Sequence, residues 1–304
     1  MPINGGTILK EKTMCTGTII RGVGGNYIVS CDGTLVKCRA SGKLRLDKAP
    51  PVVGDKVEVE ITGGTGYIIK KLPQRNLLIR PAIANIDQLV IFASEAPPIT
   101  DPYLVDKVSV IALYKEIQPM IVLSKADLSP SVGLRQAYES AGFPVIEISA
   151  VTGQGIELLR DALKGKISAF TGNSGIGKSS VLNRLNATLG LEVNEISEKI
   201  GRGRHTTRQV QLIQLDTDTF VADTPGFSTF DITKMERISK ESLVHYFPEL
   251  RPYFGQCRFA DCTHRAEPDC VVRQAAEAGK IAASRYESYQ KLYEELSMLK
   301  TWEK

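Results

Sequence analysis

The amino-acid sequence predicts a multidomain protein in which a small β-barrel, a parallel α/β sheet and an α-helical module follow one another. Short β-type runs separated by Gly, Asp-Gly and Pro-Pro turns fill the chain up to residue 72. Apolar strand segments then alternate with amphipathic stretches of helix length. The remainder holds a cysteine cluster and a long stretch of helical pattern. We therefore expect domains at residues 1–72, 73–230 and 231–304.

Composition restricts the class of protein. With 304 residues, of which 42% are apolar and 24% charged, the chain is long enough to bury several cores. It has no apolar run of membrane-spanning length, and its first residues lack the regions of a signal peptide. We therefore expect a cytoplasmic protein without a membrane partner. The six cysteines are too few and too unevenly spaced for a secreted disulfide scaffold.

The N-terminal region is typical of an OB-fold barrel. It contains five short β-type runs, TGTIIRG, YIVSC, TLVKCRA, KVEVEI and GYIIKK. Five-stranded OB-folds of this size commonly bind oligonucleotides. An SH3-like barrel fits the same strand count.

The barrel region is also basic. Residues 1–70 hold ten Lys/Arg against six Asp/Glu, whereas the rest of the chain is nearly neutral. We predict an RNA-binding surface that uses the basic residues of one run: Lys37, Arg39, Lys43, Arg45 and Lys48. Taken alone, such a charge run is more often a solvated loop.

Residues 172–179, GNSGIGKS, match the phosphate-binding pattern G-x-x-x-x-G-K-[ST]. The match lies where the motif requires, between the strand SAFTG and an amphipathic helix. Glycines let the backbone wrap closely round phosphate, and the helix presents its positive end. Lys178 would reach the β- and γ-phosphates and Ser179 would ligate Mg²⁺; the alternative is a fortuitous glycine-rich turn. The predicted cradle comprises Gly172, Asn173, Ser174, Gly175, Ile176, Gly177, Lys178, Ser179 and Ser180.

Two upstream motifs indicate guanine as the base. MIVLSKADL places Ser124, Lys125 and Asp127 like the N-K-x-D motif of GTPases, with serine where asparagine is usual. Asp127 can accept hydrogen bonds from N1–H and N2–H₂ of guanine, a donor pair that adenine lacks, and Lys125 would lie over the purine ring. VIEISA places Ser149 and Ala150 like the S-A element, whose backbone N–H contacts guanine O6.

The order of the motifs is unusual. TFVADTPG supplies a D-x-x-G motif in which Asp223 can hold Mg²⁺ and the Gly226 N–H can meet the γ-phosphate. In conventional GTPases the base motifs follow D-x-x-G, whereas here they precede the P-loop. A circular permutation accounts for this order, because the termini of a domain often lie close together. We therefore predict an α/β P-loop GTPase domain with circularly permuted motif order.

The C-terminal run CRFADCTHRAEPDC brings three thiols and one imidazole within 14 residues. Cys257, Cys262, His264 and Cys270 can complete a closed tetrahedral zinc shell that leaves no position for water. We predict one structural Zn²⁺ here; the alternative is a small core of reduced cysteines.

The stretch that follows the cysteines is predicted to be helical, with Gly279 as its one breaker. Four residues recur on one face of that helix: Tyr286, Tyr289, Tyr293 and Leu296. We expect this stripe to pack against another domain rather than to form a binding site.

Together these motifs resemble the ribosome small-subunit-dependent GTPase A family along nearly the whole chain. The resemblance implies an OB-fold, a circularly permuted GTPase domain and a zinc-finger module. It also implies that the small ribosomal subunit stimulates GTP hydrolysis and that the protein assists late maturation of this subunit. The implied partners are GTP or GDP, the small ribosomal subunit and its rRNA. We expect a monomer, since nothing in the sequence resembles a dimer motif.

The same resemblance places switch I in GRGRHTT, residues 201–207. There Thr206 or Thr207, with a slight preference for Thr207, would bring a hydroxyl to Mg²⁺ while GTP is bound. A Ras-like enzyme has a water-orienting glutamine after D-x-x-G, but this chain has Phe227, which cannot orient water. His205 is the candidate for that catalytic task; contact with RNA, or packing in one switch state, explains it equally well.

Two other functions are compatible with parts of the pattern. A P-loop ATPase acting on single-stranded nucleic acid would use the barrel and its basic face, but Asp127 argues against it. A non-enzymatic RNA-binding protein with zinc, an OB-fold and a structural nucleotide predicts tight nucleotide binding without turnover.

Overall fold

A computed structural model of the chain describes residues 12–45, 50–79, 81–187, 210–224 and 238–298. Five of the predicted site residues lie outside these ranges: Lys48, His205, Thr206, Thr207 and Gly226.

The N-terminal barrel is an OB-fold. Its strands are β1 (Lys12–Val23), β2 (Asn26–Cys31), β3 (Thr34–Ala40), β4 (Lys56–Thr62) and β5 (Thr65–Lys71), with helix α1 (Gly42–Arg45) between β3 and β4. The strands close in the order β1-β2-β3-β5-β4, in which β3 and β5 are parallel and β4 returns to β1. This closure decides for the OB-fold over the SH3-like barrel, which the strand count had left open.

Alternation along the barrel strands provides its core. Ile19, Val29, Val57 and Ile68 point inward and are fully buried. A disulfide between Cys15 and Cys31 links β1 to the end of β2, with their Cα atoms 6.2 Å apart. The sequence does not indicate this pairing, because strand pairing rather than sequence spacing brings the two cysteines together.

The central domain is a six-stranded sheet in the order β10-β9-β8-β11-β13-β12. Its strands are β8 (Gln88–Ala93), β9 (Gln118–Leu123), β10 (Val145–Glu147), β11 (Ile167–Gly172), β12 (Leu212–Gln214) and β13 (Phe220–Asp223). The predicted parallel sheet is confirmed except at one edge, where β12 runs antiparallel to β13 because a short turn joins them. A hairpin of β6 (Leu77–Ile79) and β7 (Ala82–Ala84) precedes the sheet and was not predicted.

Helices cover both faces of this sheet. Val90 and Phe92 of β8 pack in one apolar cluster with α4 (Ile156–Leu163) and α5 (Lys178–Ala187). Leu89 and Ile91, which alternate with them, pack with α2 (Pro102–Tyr114) and α3 (Val132–Ser140) on the opposite face. The sheet is therefore the middle layer of an α/β/α sandwich, and the carboxyl ends of its parallel strands form one edge.

Within residues 238–298, the C-terminal region contains two 3₁₀ turns (Leu243–Tyr246 and Pro248–Tyr253) and the helices α6 (Val271–Glu277) and α7 (Ala283–Ser297). The predicted helical stretch is interrupted at Gly279, whose φ of +71° stops α6. The predicted packing stripe is confirmed on α7, where Tyr289, Tyr293 and Leu296 are buried and Tyr286 is half-buried against the same apolar cluster.

One apolar cluster joins the three parts of the chain. It runs from Ile20 in the barrel through Leu89 in the sheet to Tyr289 in α7. The three parts therefore pack against one another through a shared apolar core and are not joined by flexible linkers alone. Among the residues that the structure describes, no helix is both long and apolar enough to cross a membrane.

Candidate nucleotide and metal sites

The predicted phosphate cradle connects β11 to α5 as a strand–turn–helix unit. Gly172 ends the strand with a φ of +145°, and a Cβ there would lie 2.7 Å from the carbonyl oxygen of Phe92. Only glycine fits this position. Lys178 begins α5, and its Nζ donates to the carbonyl oxygens of Gly172 (2.9 Å) and Asn173 (3.0 Å). The ammonium group is thus held over the turn at the place where phosphate oxygens bind in P-loops.

Asp223 lies beside this cradle at the end of β13, in register with Phe170 of β11. Burial raises the pKa of Asp223, and the nearby Lys178 opposes that rise. Burial likewise lowers the pKa of Lys178, and Asp223 opposes that fall. The two charges therefore interact across the cradle, as a magnesium-holding acid and a phosphate-binding lysine would.

Thr224 fastens the start of the D-x-x-G segment to the P-loop strand. Its backbone N–H and its hydroxyl both donate to the carbonyl oxygen of Phe170, at 3.1 and 2.7 Å. Sequence analysis missed this role because the motif pattern leaves that position open.

The two base motifs meet at the ends of the adjacent strands β9 and β10. The Ser149 hydroxyl donates to Oδ1 of Asp127 at 2.6 Å, so the two predicted residues are in direct contact. Lys125 has a φ of +63°, and its Nζ donates to the carbonyl oxygen of Pro97 at 2.5 Å. The Ser149 hydroxyl orients the Asp127 carboxylate, and the Asp127 side chain remains exposed to solvent. A carboxylate that accepts hydrogen bonds from a nucleotide base must be accessible in this way.

Ser124 joins the base motif to the phosphate cradle. Its hydroxyl lies 2.8 Å from the carbonyl oxygen of Ile176 in the P-loop and 3.3 Å from that of Ala93. Serine therefore makes a side-chain contact between the two loops at the position where asparagine is usual. Because Ser124 is buried, water does not compete for this contact. The contact therefore sets the distance between the phosphate and base sites.

The four predicted metal ligands of the C-terminal region converge. The ligand atoms of Cys257, Cys262, His264 and Cys270 all lie within 4.8 Å of one another. His264 Nδ1 lies 3.5 Å from Cys257 Sγ and 3.6 Å from Cys270 Sγ. In a tetrahedral centre with metal–sulfur and metal–nitrogen bonds of about 2.3 and 2.0–2.1 Å, sulfur and nitrogen lie about 3.6 Å apart. The donor set and these two sulfur–nitrogen distances therefore suit a tetrahedral metal ion.

The Glu267 carboxylate organises the ligand-bearing loop. It accepts from the backbone and hydroxyl of Thr263 (2.7 and 2.5 Å) and from the backbone N–H groups of Arg265 (3.0 Å) and Ala266 (3.1 Å). Burial by itself would raise the pKa of Glu267, but these hydrogen bonds outweigh it and lower the pKa to about 2. Helix α7 supports the same loop through two hydroxyls, from Tyr286 to His264 O and from Tyr289 to Thr263 O.

The predicted basic surface forms part of a groove on the barrel. Lys37 and Arg39 of β3 line a groove of about 560 Å³ together with Arg21 of β1, which sequence analysis missed. Lys43 and Arg45 belong to α1, which follows β3. These three cations lie on β1 and β3, the two strands that flank β2, and give this face of the barrel a positive lining.

A P-loop between a strand and a helix, base motifs at the neighbouring strand ends and the permuted order of these motifs define a circularly permuted P-loop GTPase. Residues 71–233 match the RsgA GTPase family, and residues 16–68 match the RsgA N-terminal domain. The chain therefore belongs to the RsgA GTPase family.

Individual relatives agree with this assignment. A protein of Caldanaerobacter subterraneus named small ribosomal subunit biogenesis GTPase RsgA is 42% identical over 92% of this chain and 95% of its own length. The protein of the same name from Moorella thermoacetica is 44% identical over 90% of this chain and 94% of its own. The crystal structure of YjeQ from Thermotoga maritima superposes with a TM-score of 0.77 at 36% identity, covering 95% of this chain and 100% of that chain. YloQ, described as a circularly permuted GTPase, gives 0.76 at 31% identity over 94% and 96% of the two chains.

Proposed function

We propose that this protein hydrolyses GTP to GDP and phosphate on the small ribosomal subunit and assists the late maturation of that subunit. The observation that carries the nucleotide part is the Ser124–Ile176 contact, since it joins a guanine-type base loop to a phosphate cradle. The names of the relatives support the ribosomal part.

The phosphate end of the site uses backbone N–H groups of residues 172–180 and the Lys178 ammonium. Ser179, Asp223 and Thr207 would hold Mg²⁺, with Thr206 as the alternative to Thr207. Bound with GTP, the ion neutralises charge that develops on the phosphates. The Gly226 N–H would meet the γ-phosphate and so report whether it is present.

The base end selects guanine through complementary hydrogen bonds. Asp127, oriented by Ser149, accepts from N1–H and N2–H₂ of the base. The backbone N–H of Ala150 donates to O6, and the Lys125 side chain covers the ring. Adenine would leave the Asp127 carboxylate facing an acceptor, which costs more than the lost hydrogen bonds alone.

The chain lacks the usual side chain that orients the attacking water, because Phe227 occupies the position where Ras-like enzymes have glutamine. His205, beside the switch threonines, is proposed to orient the attacking water when the ribosome is bound. A His205→Ala variant would then lose the stimulated turnover while it retains GTP binding. Unchanged stimulated turnover would assign His205 to RNA contact or packing instead.

RNA contact is proposed for the barrel groove with Lys37 and Arg39 and for the neighbouring Lys43, Arg45 and Lys48. The C-terminal module, with one structural Zn²⁺ on Cys257, Cys262, His264 and Cys270, would add a second docking element. This division corresponds to domains at residues 1–72, 73–230 and 231–304 of a monomer that works in the cytoplasm.

Steady-state phosphate release from GTP and from ATP, each with and without purified small ribosomal subunits, tests the proposal. We expect slow GTP turnover that the subunit accelerates by about 10³- to 10⁵-fold, as partner-completed GTPases do, and no turnover of ATP. ATP turnover stimulated by single-stranded nucleic acid would support the ATPase function. GTP binding without turnover in any of these assays would leave a non-enzymatic RNA-binding protein.

Asp127→Asn is expected to change the base preference. The asparagine amide has one accepting oxygen and one donating NH₂, so it can accept from N1–H and donate to O2 of xanthine but cannot accept from both N1–H and N2–H₂ of guanine. GTP affinity should therefore fall at least about 100-fold, and XTP should become the preferred substrate. Asp161→Asn, at an exposed position on α4, is the matched control. Competition binding with both nucleotides measures the effect; an unaltered preference for GTP in Asp127→Asn would remove Asp127 from the base site.

A further inference from the structure

We infer that Arg184 is a positioning residue for guanine recognition, because it clamps the backbone of the loop that carries Ala150 onto the helix of the P-loop. This inference rests on the proposed function, in which the Ala150 N–H donates to guanine O6. It adds a residue that lies outside every recognised nucleotide motif of the chain.

The clamp consists of two hydrogen bonds from one guanidinium. Arg184 Nε donates to the carbonyl oxygen of Ala150 at 3.0 Å, and a terminal guanidinium nitrogen donates to that of Val151 at 2.6 Å. A planar guanidinium holds its donors in a rigid fork, so two bonds to successive carbonyls restrict the orientation of both peptide groups. The guanidinium carbon also lies 3.9 Å from where a Cβ of Gly153 would be, close against the same loop.

The opposite side of the loop is held by Ser149. Its hydroxyl oxygen accepts from the backbone N–H groups of Val151 (3.2 Å) and Thr152 (3.1 Å) while the hydroxyl donates to Asp127. The loop is therefore fastened to the Asp127 carboxylate on one side and to α5 on the other. Arg184 is the connection to the helix.

The position of Arg184 on α5 links the two ends of the nucleotide site. It follows Lys178, the first residue of the helix, by six residues, which correspond to about 9 Å along a helix axis. The helix that binds phosphate at its N-terminus thereby also positions the O6 contact. A shift of the loop relative to the phosphates would break one or both Arg184 bonds.

Electrostatics give the clamp a direction. The positive guanidinium attracts the carbonyl oxygens of Ala150 and Val151 and so keeps those dipoles turned toward α5. If the Ala150 carbonyl turned to the base instead, it would repel guanine O6 and would favour a base with an amino group at position 6. The Ala150 N–H itself belongs to the preceding Ser149–Ala150 peptide. By holding the adjoining Ala150–Val151 peptide, Arg184 limits how far that N–H can turn away from guanine O6.

The test compares the affinities of GDP, IDP and 2-aminopurine riboside diphosphate for the full-length protein. IDP lacks the 2-amino group that Asp127 would bind but keeps N1–H and O6, whereas the 2-aminopurine nucleotide lacks both O6 and N1–H. The comparison with IDP therefore checks that the Asp127 contact is intact. In Arg184→Ala we expect GDP affinity to fall roughly 5- to 10-fold, with an equal loss in the preference of GDP over the 2-aminopurine nucleotide. The preference of GDP over IDP should stay as in the wild-type protein.

Asn183→Ala, at an exposed neighbouring position of α5, is the matched control, and Arg184→Lys keeps the charge without the fork. Arg184→Lys should lose most of the same preference. A misfolded fraction would lower the number of sites but not these affinity ratios. If Arg184→Ala keeps the O6 preference of Asn183→Ala, the inference is overturned, whereas failure of the wild-type protein to bind GDP would overturn the proposed function itself.

Discussion

Replacing Cys270 with serine is expected to release the metal ion and to unfold the C-terminal module. Cys270 is fully buried where α6 begins, and its Sγ lies 3.6 Å from His264 Nδ1, so it is the ligand that joins the loop to the helix. Structural zinc supplies folding free energy directly, because the unfolded chain has no preformed site. We expect a loss of more than about 4 kcal/mol of unfolding free energy.

Cys38→Ser provides the control, because Cys38 is also buried but lies in the barrel. Metal content by elemental analysis and urea unfolding followed by circular dichroism measure the two parts of the prediction. Cys38→Ser should keep one equivalent of zinc. If the wild-type protein contains no zinc and Cys270→Ser unfolds at the same urea concentration as Cys38→Ser, the cluster is a core of reduced thiols; zinc retained by Cys270→Ser would remove Cys270 from the ligand set.

Replacing Arg285 with methionine is expected to detach α7 from the GTPase domain. Arg285 donates to Asp106 on α2 (2.6 Å) and to Glu249 in the second 3₁₀ turn (2.7 Å), and all three side chains are at most 5% exposed. Burial alone would lower the pKa of Arg285, but the two carboxylates raise it above its ordinary value, so the guanidinium stays charged. The central carbon of the Arg285 guanidinium also lies 4.7 Å from the centre of the Phe247 ring.

Arg285→Met would leave two carboxylates buried without their cation, at a cost of about 3–5 kcal/mol. Urea unfolding of the full chain measures this. Arg258→Met, which removes an exposed pair with Asp269, should cost no more than about 1 kcal/mol. Combining Arg285→Met with Asp106→Leu and Glu249→Leu should recover most of the loss, since no charge is then buried alone. Equal costs for Arg285→Met and Arg258→Met would show that the triad does not hold α7.

Contiguous motifs account for the parts of this protein that the sequence predicted. The P-loop of residues 172–179 depends on glycine geometry and on one strand–turn–helix unit, and Cys257, Cys262, His264 and Cys270 lie on one short run. The five barrel strands were predicted from local alternation, but their closure order was not.

Contacts between distant parts of the chain were not predicted, although Ser124 itself was predicted as a base-motif residue. Ser124 contacts Ile176 across 52 positions, Arg184 contacts Ala150 across 34, and Arg285 contacts Asp106 across 179. None of these pairs produces a periodic pattern in the sequence. Each of these side chains could equally well face solvent in another fold. Disulfide pairing of Cys15 with Cys31 has the same origin in strand register.

The sequence by itself determined the available chemistry: which residues could cradle phosphate, which carboxylate could recognise guanine and which side chains could bind a metal ion. Those properties depend on which residue types occur at short, fixed spacings, because covalent geometry then restricts how the side chains can be arranged. Only the tertiary structure decided how Ser124 joins the two predicted loops, which helix holds the loop of Ala150 and how α7 is anchored. Sheet order and helix register set these distances, and both depend on packing over the whole chain.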